Sequence, residues 1–340
     1  MTRGLLRLVK WLLPTFVMLA IFAVLPQVIS AKRYNARKAP KVIYSYEGPN
    51  VRIYSSEVTD TLRMFFIADT HLFLSDEREE PFRQYSKRMA SAYHRTKHFQ
   101  TGKETNPEAA LKATVELAKK RGADVIALAG DILSYPSERG VEFVNEILGA
   151  SGIPYYYTCG NHDWHYEGME GHRLKLREEW RGKRLMPLFR ENNPAIYGVE
   201  IKGVRLVFVD SSTYDILPEQ LEFMQREVKG GKPFIMMQHI PMYAPSRPFG
   251  YGIGHPDWGA GTDDGYKLER REKWPEEGHQ PIDYEFYDLV TTAPNLLATF
   301  AGHVHTFGTD IINGRPHFTV GANFQAAYYE VLVMPMPANH

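Results

Sequence analysis

Five separated apolar runs in this chain each stop at a residue type able to bind a metal ion, and that recurrence limits the possible folds more than any other feature. Residues 62–68 lead into Asp69-Thr70-His71, 123–129 into Gly130-Asp131, and 153–159 into Gly160-Asn161-His162-Asp163. Residues 234–238 lead into His239, and 296–301 into Gly302-His303-Val304-His305. Nearly continuous apolarity marks strands covered on both faces, as in a parallel or mixed sheet. In such sheets ligands gather beyond the carboxyl ends of the strands. Asp69 and His71, two apart on an extended backbone, point to the same side and can share one ion. Three of the five blocks place glycine immediately before the ligand, where the backbone must turn and come close to an ion.

The segments between these runs carry helix and turn signals. Asn106-Pro107-Glu108 supplies a capping residue, proline at the first helical position and an acid in the first turn. A helix is expected from there to about Arg121, with Leu111, Val115, Leu117 and Ala118 inward and Gly122 ending it. The strand, helix, strand order predicts a parallel pair that sets Asp131 beside Asp69. Further helices are expected over about 137–148 and 218–229. Residues 42–55 read as one or two short strands broken at Gly48-Pro49-Asn50, and 195–210 as a hairpin turned near Lys202-Gly203. The polar stretch 75–100 reads as a solvated helix pair or loop in which His94 and His98 could share a helix face. With no carboxylate at a useful spacing, neither histidine is expected to be a ligand.

Composition bounds the partners. At 340 residues and 44% hydrophobic content, the chain can build one large α/β domain or two ordinary ones. Forty basic residues balance forty acidic ones, so no footprint for duplex nucleic acid is present and an anionic substrate must be held locally. The single cysteine, Cys159, excludes an internal disulfide and a cysteine-rich zinc module, and it reads as a small buried hydrophobe. Residues 1–31 carry Arg3, Arg7 and Lys10, then an apolar segment interrupted by Pro14 and Pro26, then Ser30-Ala31. This layout reads as an export signal, with an uncleaved membrane anchor as the competing reading. The rest of the chain is accordingly expected in the periplasm or at the cell surface, touching a membrane only through that segment.

Asp69-x-His71, Gly130-Asp131, Gly160-Asn161-His162-Asp163, His239 and Gly302-His303-x-His305 resemble, in order, the five blocks of the calcineurin-like metallophosphoesterases. The resemblance covers most of the chain beyond residue 62. It implies an α/β fold: a two-sheet mixed β sandwich flanked by helices, four layers in all. That domain would span 62–336, after N-terminal strands or linker at 32–61 and with an insertion at 241–281. It also implies two divalent or mixed-valence metal ions, manganese, iron or zinc. One would be held by Asp69, His71, Asp131 and His305, the other by Asp131, Asn161, His239 and His303. Asp131 would bridge, as a carboxylate with two oxygens can and an imidazole cannot. The substrate would be a small-molecule phosphate ester, attacked by a metal-bridging hydroxide.

His162 shares its turn with Asn161, so its own side chain leaves in another direction and can serve as general acid toward the leaving oxygen. Asp163 would orient His162 or hold a metal-ligating imidazole. In the insertion, His255 and Trp258 are candidate substrate contacts, whereas His165, His172 and His317 are read as ordinary. Two departures bear on the branch. Purple acid phosphatases carry tyrosine three residues after the bridging aspartate, where this chain has Ser134, with Tyr135 one residue late. The protein phosphatases place Asp-Arg-Gly after their second block, and residues 132–136 offer nothing similar. The sequence looks closer to the phosphodiesterase-like bacterial branch. A phosphoesterase-shaped binding module without catalysis is the alternative, disfavoured by the seven ligand positions and His162 all being present.

Overall fold

The computed structural model describes residues 41–89, 92–245, 247, 252–256 and 277–338. The 1–31 segment and most of the 241–281 insertion, Trp258 included, lie outside the described residues.

Residues 42–55 form a hairpin of strands β1 (Val42–Glu47) and β2 (Asn50–Ser55), and the first apolar run becomes β3 (Leu62–Ile67). The polar stretch after it holds a 3-10 turn, Glu77–Phe82, and one helical turn, Arg83–Ser86. A small hairpin follows, β4 (Thr96–Lys97) with β5 (Glu104–Thr105). His94 lies in a bend and His98 just after β4, so the two do not share a helix face. The chain there is too polar to bury a helical stripe, and it is held instead by docking the hairpin, with Phe99 N–H donating to the Gln325 carbonyl at 2.9 Å.

Helix Pro107–Arg121 begins at Asn106, whose Oδ1 accepts from Ala109 N–H, and ends at left-handed Gly122. Ala110, Leu111, Thr114, Val115 and Ala118 form its buried stripe, while Leu117 is only half-buried. It crosses over to β6 (Val125–Ala129), parallel to β3. Helix Glu138–Ser151, capped by Ser137, returns the chain to β7 (Tyr155–Thr158), parallel to β6. The next hairpin, β8 (Ile196–Ile201) and β9 (Val204–Val209), turns at Lys202-Gly203 with both residues at positive φ. Helix Pro218–Gly230 leads to β10 (Phe234–Gln238), and helix Pro281–Thr291 to β11 (Leu296–Ala301). Then follow β12 (Gly308–Ile312), β13 (Arg315–Thr319) and the terminal β14 (Tyr329–Pro335).

These strands make two six-stranded mixed sheets, in the orders β1-β2-β14-β3-β6-β7 and β12-β13-β11-β10-β9-β8. Alternation along the second sheet shows the layering. Ile235 and Met237 of β10, with Leu206 and Phe208 of β9, pack into the core shared with the first sheet. Phe234, Met236, Val207 and Val209 face the opposite way, onto Leu221, Met224, Phe286 and Val290 of two helices. Across the interface Phe66 and Phe300 lie 5.4 Å apart, and burying each ring contributes roughly 2–3 kcal/mol. The order of layers is thus helices, sheet, sheet, helices. Among the described residues, no helix is long and apolar enough to cross a membrane.

Candidate metal centre

Each of the five runs delivers its ligand types through a sharp turn at the strand end. Asp69, His71, Asp131, His303 and His305 all have left-handed φ, between 49° and 72°. Ten non-glycine residues do so among the described residues, and half of them are in this set. Such a backbone costs about 1–3 kcal/mol per residue and persists only where the surroundings enforce it.

The surroundings here are loop-to-loop hydrogen bonds that continue past the sheet. Asp69 N–H donates to Gly130 O at 3.0 Å, His71 N–H to Asp131 O at 2.9 Å, and Gly302 N–H to His239 O at 3.0 Å. The carboxylate of Asp163, fully buried, accepts from Asp131 N–H (2.8 Å), Leu133 N–H (2.7 Å) and Gly160 N–H (2.7 Å). One side chain thereby bolts the turn after β6 to the turn after β7. Thr70 points elsewhere, its hydroxyl donating to Asn323 Oδ1, and Asn323 in turn donates to Thr114 Oγ1 and Ala327 O.

Two of the glycines are needed for closeness as much as for turning. A Cβ on Gly160 would collide with the Asp131 backbone nitrogen and carboxylate, and one on Gly302 would lie 2.6 Å from Asp69 Oδ2. The carboxylates sit where any side chain at these positions would be.

The side chains converge in three overlapping groups whose donor atoms lie within 4.8 Å of one another: Asp69, His71 and His305; His71, Asp131 and His162; Asp131, His239 and His303. Asp131 thus belongs to two groups. Its Oδ2 is 3.1 Å from His239 Nε2 and 3.8 Å from His71 Nε2, while Oδ1 accepts the His162 N–H at 2.7 Å. Asp69 Oδ1 lies 3.4 Å from His305 Nε2 and 4.0 Å from His239 Nε2, and both its oxygens accept from His303 N–H. His239 Nδ1 donates to the Ala129 carbonyl at 2.9 Å, which turns its Nε2 toward the cluster.

Three observations test whether this set fits bound cations. His71 Nε2 and His305 Nε2 are 3.2 Å apart, as are His303 Nδ1 and His239 Nε2, so ring nitrogens converge where a shared cation would satisfy them. Asn161 is buried with neither amide atom hydrogen-bonded, a state that buried polar groups rarely tolerate. The donors are nitrogen and oxygen without thiolate, since Cys159 is buried with its thiol pushed well up by desolvation. Such a set suits zinc, iron or manganese. The residues fit.

Burial opposes ionisation throughout, yet Asp131 stays well below the ordinary carboxylate range because His239, His162 and His71 surround it. Burial disfavours the charged form of His239 too, but the Asp131 and Asp69 carboxylates lift it to about 10. Burial holds His71 well below its usual value against the pull of Asp131. Burial, followed by repulsion from Asp131, pushes Asp163 up to about 7. A cation held between the acids would displace the extra proton of His239.

Several residues fall in none of these groups. His255 is buried in the described part of the insertion, its ring 4.5 Å from that of Tyr243. His165 packs beside Trp164, His172 precedes helix Arg173–Trp180, and His317 lies in β13 against Thr299 Oγ1 at 2.8 Å. Ser134 hydrogen-bonds the His71 carbonyl at 2.9 Å, and the Tyr135 hydroxyl is spent on the Phe73 carbonyl at 2.8 Å. Sequence reasoning missed Asn323, which fixes the 69–71 turn, and Tyr93, whose ring centroid lies 4.5 Å from that of His71. Neither sits in a motif. The only hint at Tyr93 is an aromatic residue within a polar stretch.

No curated protein matches the chain by sequence. Among solved structures it resembles a dimetal phosphatase from Danio rerio, at 13% identity over 78% of this chain and 91% of that one, with a TM-score of 0.48. It also resembles a purple acid phosphatase from yellow lupin (Lupinus luteus) seeds, at 14% identity over 80% of this chain and 47% of that one, with a TM-score of 0.48. The profile of the family described as calcineurin-like phosphoesterase matches residues 62–307, from the start of β3 to just beyond His305. With that match spanning most of the chain, and the strand ends converging as described, the protein belongs to the calcineurin-like phosphoesterase family.

Proposed function

We propose that this chain hydrolyses a small-molecule phosphate ester at a dinuclear metal centre. The observation that carries this reading is the convergence of Asp69, His71, Asp131, His239, His303 and His305 around converging ring nitrogens, with the unpaired Asn161 amide buried on the adjoining turn. Asp69, His71 and His305 would hold one ion and Asn161, His239 and His303 the other, with Asp131 shared. Two divalent cations, when bound, supply Lewis-acid polarisation of phosphoryl oxygens and lower the pKa of water toward about 7.

The chain's own residues do the rest. Two carboxylates against two divalent ions leave the site at about +2, so it attracts and orients an anionic ester. His162 has its backbone N–H fixed on Asp131 and its ring 5.0 Å from that of His71, a place from which a protonated imidazole reaches the leaving oxygen. Asp163 keeps that turn in place. The seatings of Trp164 Nε1 on Ser212 Oγ at 3.0 Å and of His165 N–H on His162 O at 3.2 Å brace it from the far side.

In the same reading, residues 62–336 are the catalytic domain, 1–31 exports the chain or anchors it, and His255 and Trp258 are substrate contacts from the insertion. The lack of a purple-acid-phosphatase tyrosine at Ser134 supports the phosphodiesterase-like branch. Hydrolysis of p-nitrophenyl phosphate and bis-p-nitrophenyl phosphate by protein loaded in turn with manganese, iron and zinc tests the function, and the ratio of the two rates separates monoesterase from diesterase. Metal-replete protein that turns over neither compound is a binding module instead.

A further inference from the structure

The cluster is closed on most sides. The side chains of Asp69, His71 and His239 are 0% exposed, whereas that of His305 is 28% exposed, so His305 marks where solvent reaches the site. Two aromatic rings border it there. Phe324 lies 5.2 Å from His305 and Tyr93 5.6 Å, and the two are stacked on each other at 4.4 Å with an interplanar angle of 15°.

Both rings are held in place. Phe324 N–H donates to the Asp69 carbonyl at 3.0 Å, so this ring is registered to the ligand turn itself. Tyr93 leads into the β4–β5 hairpin, which is tied to the turn Asn323–Gln325 through Phe99 N–H and Gln325 O. Phe324 is buried while Tyr93 is half-buried, so Tyr93 is the more open residue of the pair beside His305. Phe307, two residues beyond His305, is 40% exposed, with its ring 5.6 Å from that of Phe99. An ester whose phosphoryl group reached the ligands past His305 would have its leaving group beside the Phe324 and Tyr93 rings.

We propose that Tyr93 contacts the leaving group and makes the site prefer phosphate esters of aromatic alcohols over those of small alkyl alcohols. The inference rests on the phosphoesterase reading above and names the substrate class of that same site. Planar rings gain from offset or edge contact with an aromatic side chain beyond simple area burial, and a methyl or glyceryl group does not.

The test is calorimetric binding of phenylphosphonate and methylphosphonate, which are not turned over, to the metal-loaded full chain. The wild-type protein is expected to favour the phenyl compound, and Tyr93→Ala to lower that ratio by about 3–10-fold, with the methyl compound changed less than about twofold. Tyr93→Phe keeps the ratio. Tyr93→Leu, which retains apolar bulk without a ring, loses it and decides the matter if the alanine variant does not fold. A ratio unchanged in Tyr93→Leu overturns the proposal, as does equal weakening of both ligands, which assigns the ring to bracing His71 and His305. If neither phosphonate binds the metal-loaded wild type, the phosphoesterase reading fails and this one with it.

Discussion

Replacing Asp163 probes how the site is built without touching a candidate ligand. Its Oδ2 receives Asp131 N–H and Gly160 N–H, and its Oδ1 receives Leu133 N–H, all at 2.7–2.8 Å in a fully buried environment. An asparagine can rotate to place its one oxygen where two N–H groups converge. It then leaves a single donor, Leu133, facing an NH₂. An unsatisfied buried donor costs about 1–3 kcal/mol, so Asp163→Asn is expected to destabilise by about that amount. Asp163→Ala orphans three donors at once and is expected to destabilise by about 3–6 kcal/mol, less than three independent penalties because water enters the space. Urea unfolding of chelator-treated protein at fixed pH measures both differences. Since the turns bearing Asp131 and Asn161 hang on this carboxylate, metal affinity by competitive chelation should fall about 10–100-fold in the asparagine variant. An alanine variant within about 0.5 kcal/mol of wild type, or no less stable than the asparagine variant, refutes the idea that this carboxylate fastens the two turns.

Three further outcomes follow from the same geometry. His162→Ala should lower kcat about 10²–10⁴-fold while metal content by mass spectrometry stays at the wild-type value; loss of metal would place His162 among the ligands. Gly160→Ala drives a Cβ into Asp131 and should strip metal from the site although no donor is removed; full metal occupancy would show that the two turns can separate freely. Burial lowers His317 to about 3 against an unfolded value near 6.5, so the unfolded chain binds the extra proton between those values. Stability is therefore complete above about pH 6.5 and declines by roughly 1.4 kcal/mol per pH unit as pH falls toward 3. In urea titrations of chelated protein, His317→Gln should flatten that slope, and an unchanged slope would contradict the assignment.

How much of this was legible in the sequence depends on the range over which each feature is decided. The runs ending at Asp69, Asp131, Asn161, His239 and His303 could be read because strands buried on both faces are continuous apolar blocks, and the ligands stand at their ends. The cap at Asn106, the αL stop at Gly122 and the turn at Lys202-Gly203 are likewise local chemistry. Strand order is not local. Strand β14 inserts between β2 and β3, a pairing of segments far apart in the sequence that no local signal links. The His94 and His98 spacing suggested a helix face because four residues span one turn, yet a hairpin forms there, docked on a segment more than two hundred residues away. Tyr93 and Asn323 reach the site by that same long-range docking, so no nearby residue marks them.

If one buried acid, Asp131, is shared between two cations, the number of bound metal ions must depend on it. Full-length protein purified without chelator and analysed by mass spectrometry should carry two metal ions per chain. Asp131→Asn, folded by circular dichroism, should carry one or none and lose hydrolysis of p-nitrophenyl phosphate and bis-p-nitrophenyl phosphate. A wild-type chain that binds no metal under saturating manganese, iron or zinc, or an Asp131→Asn variant that keeps both ions, would contradict the account.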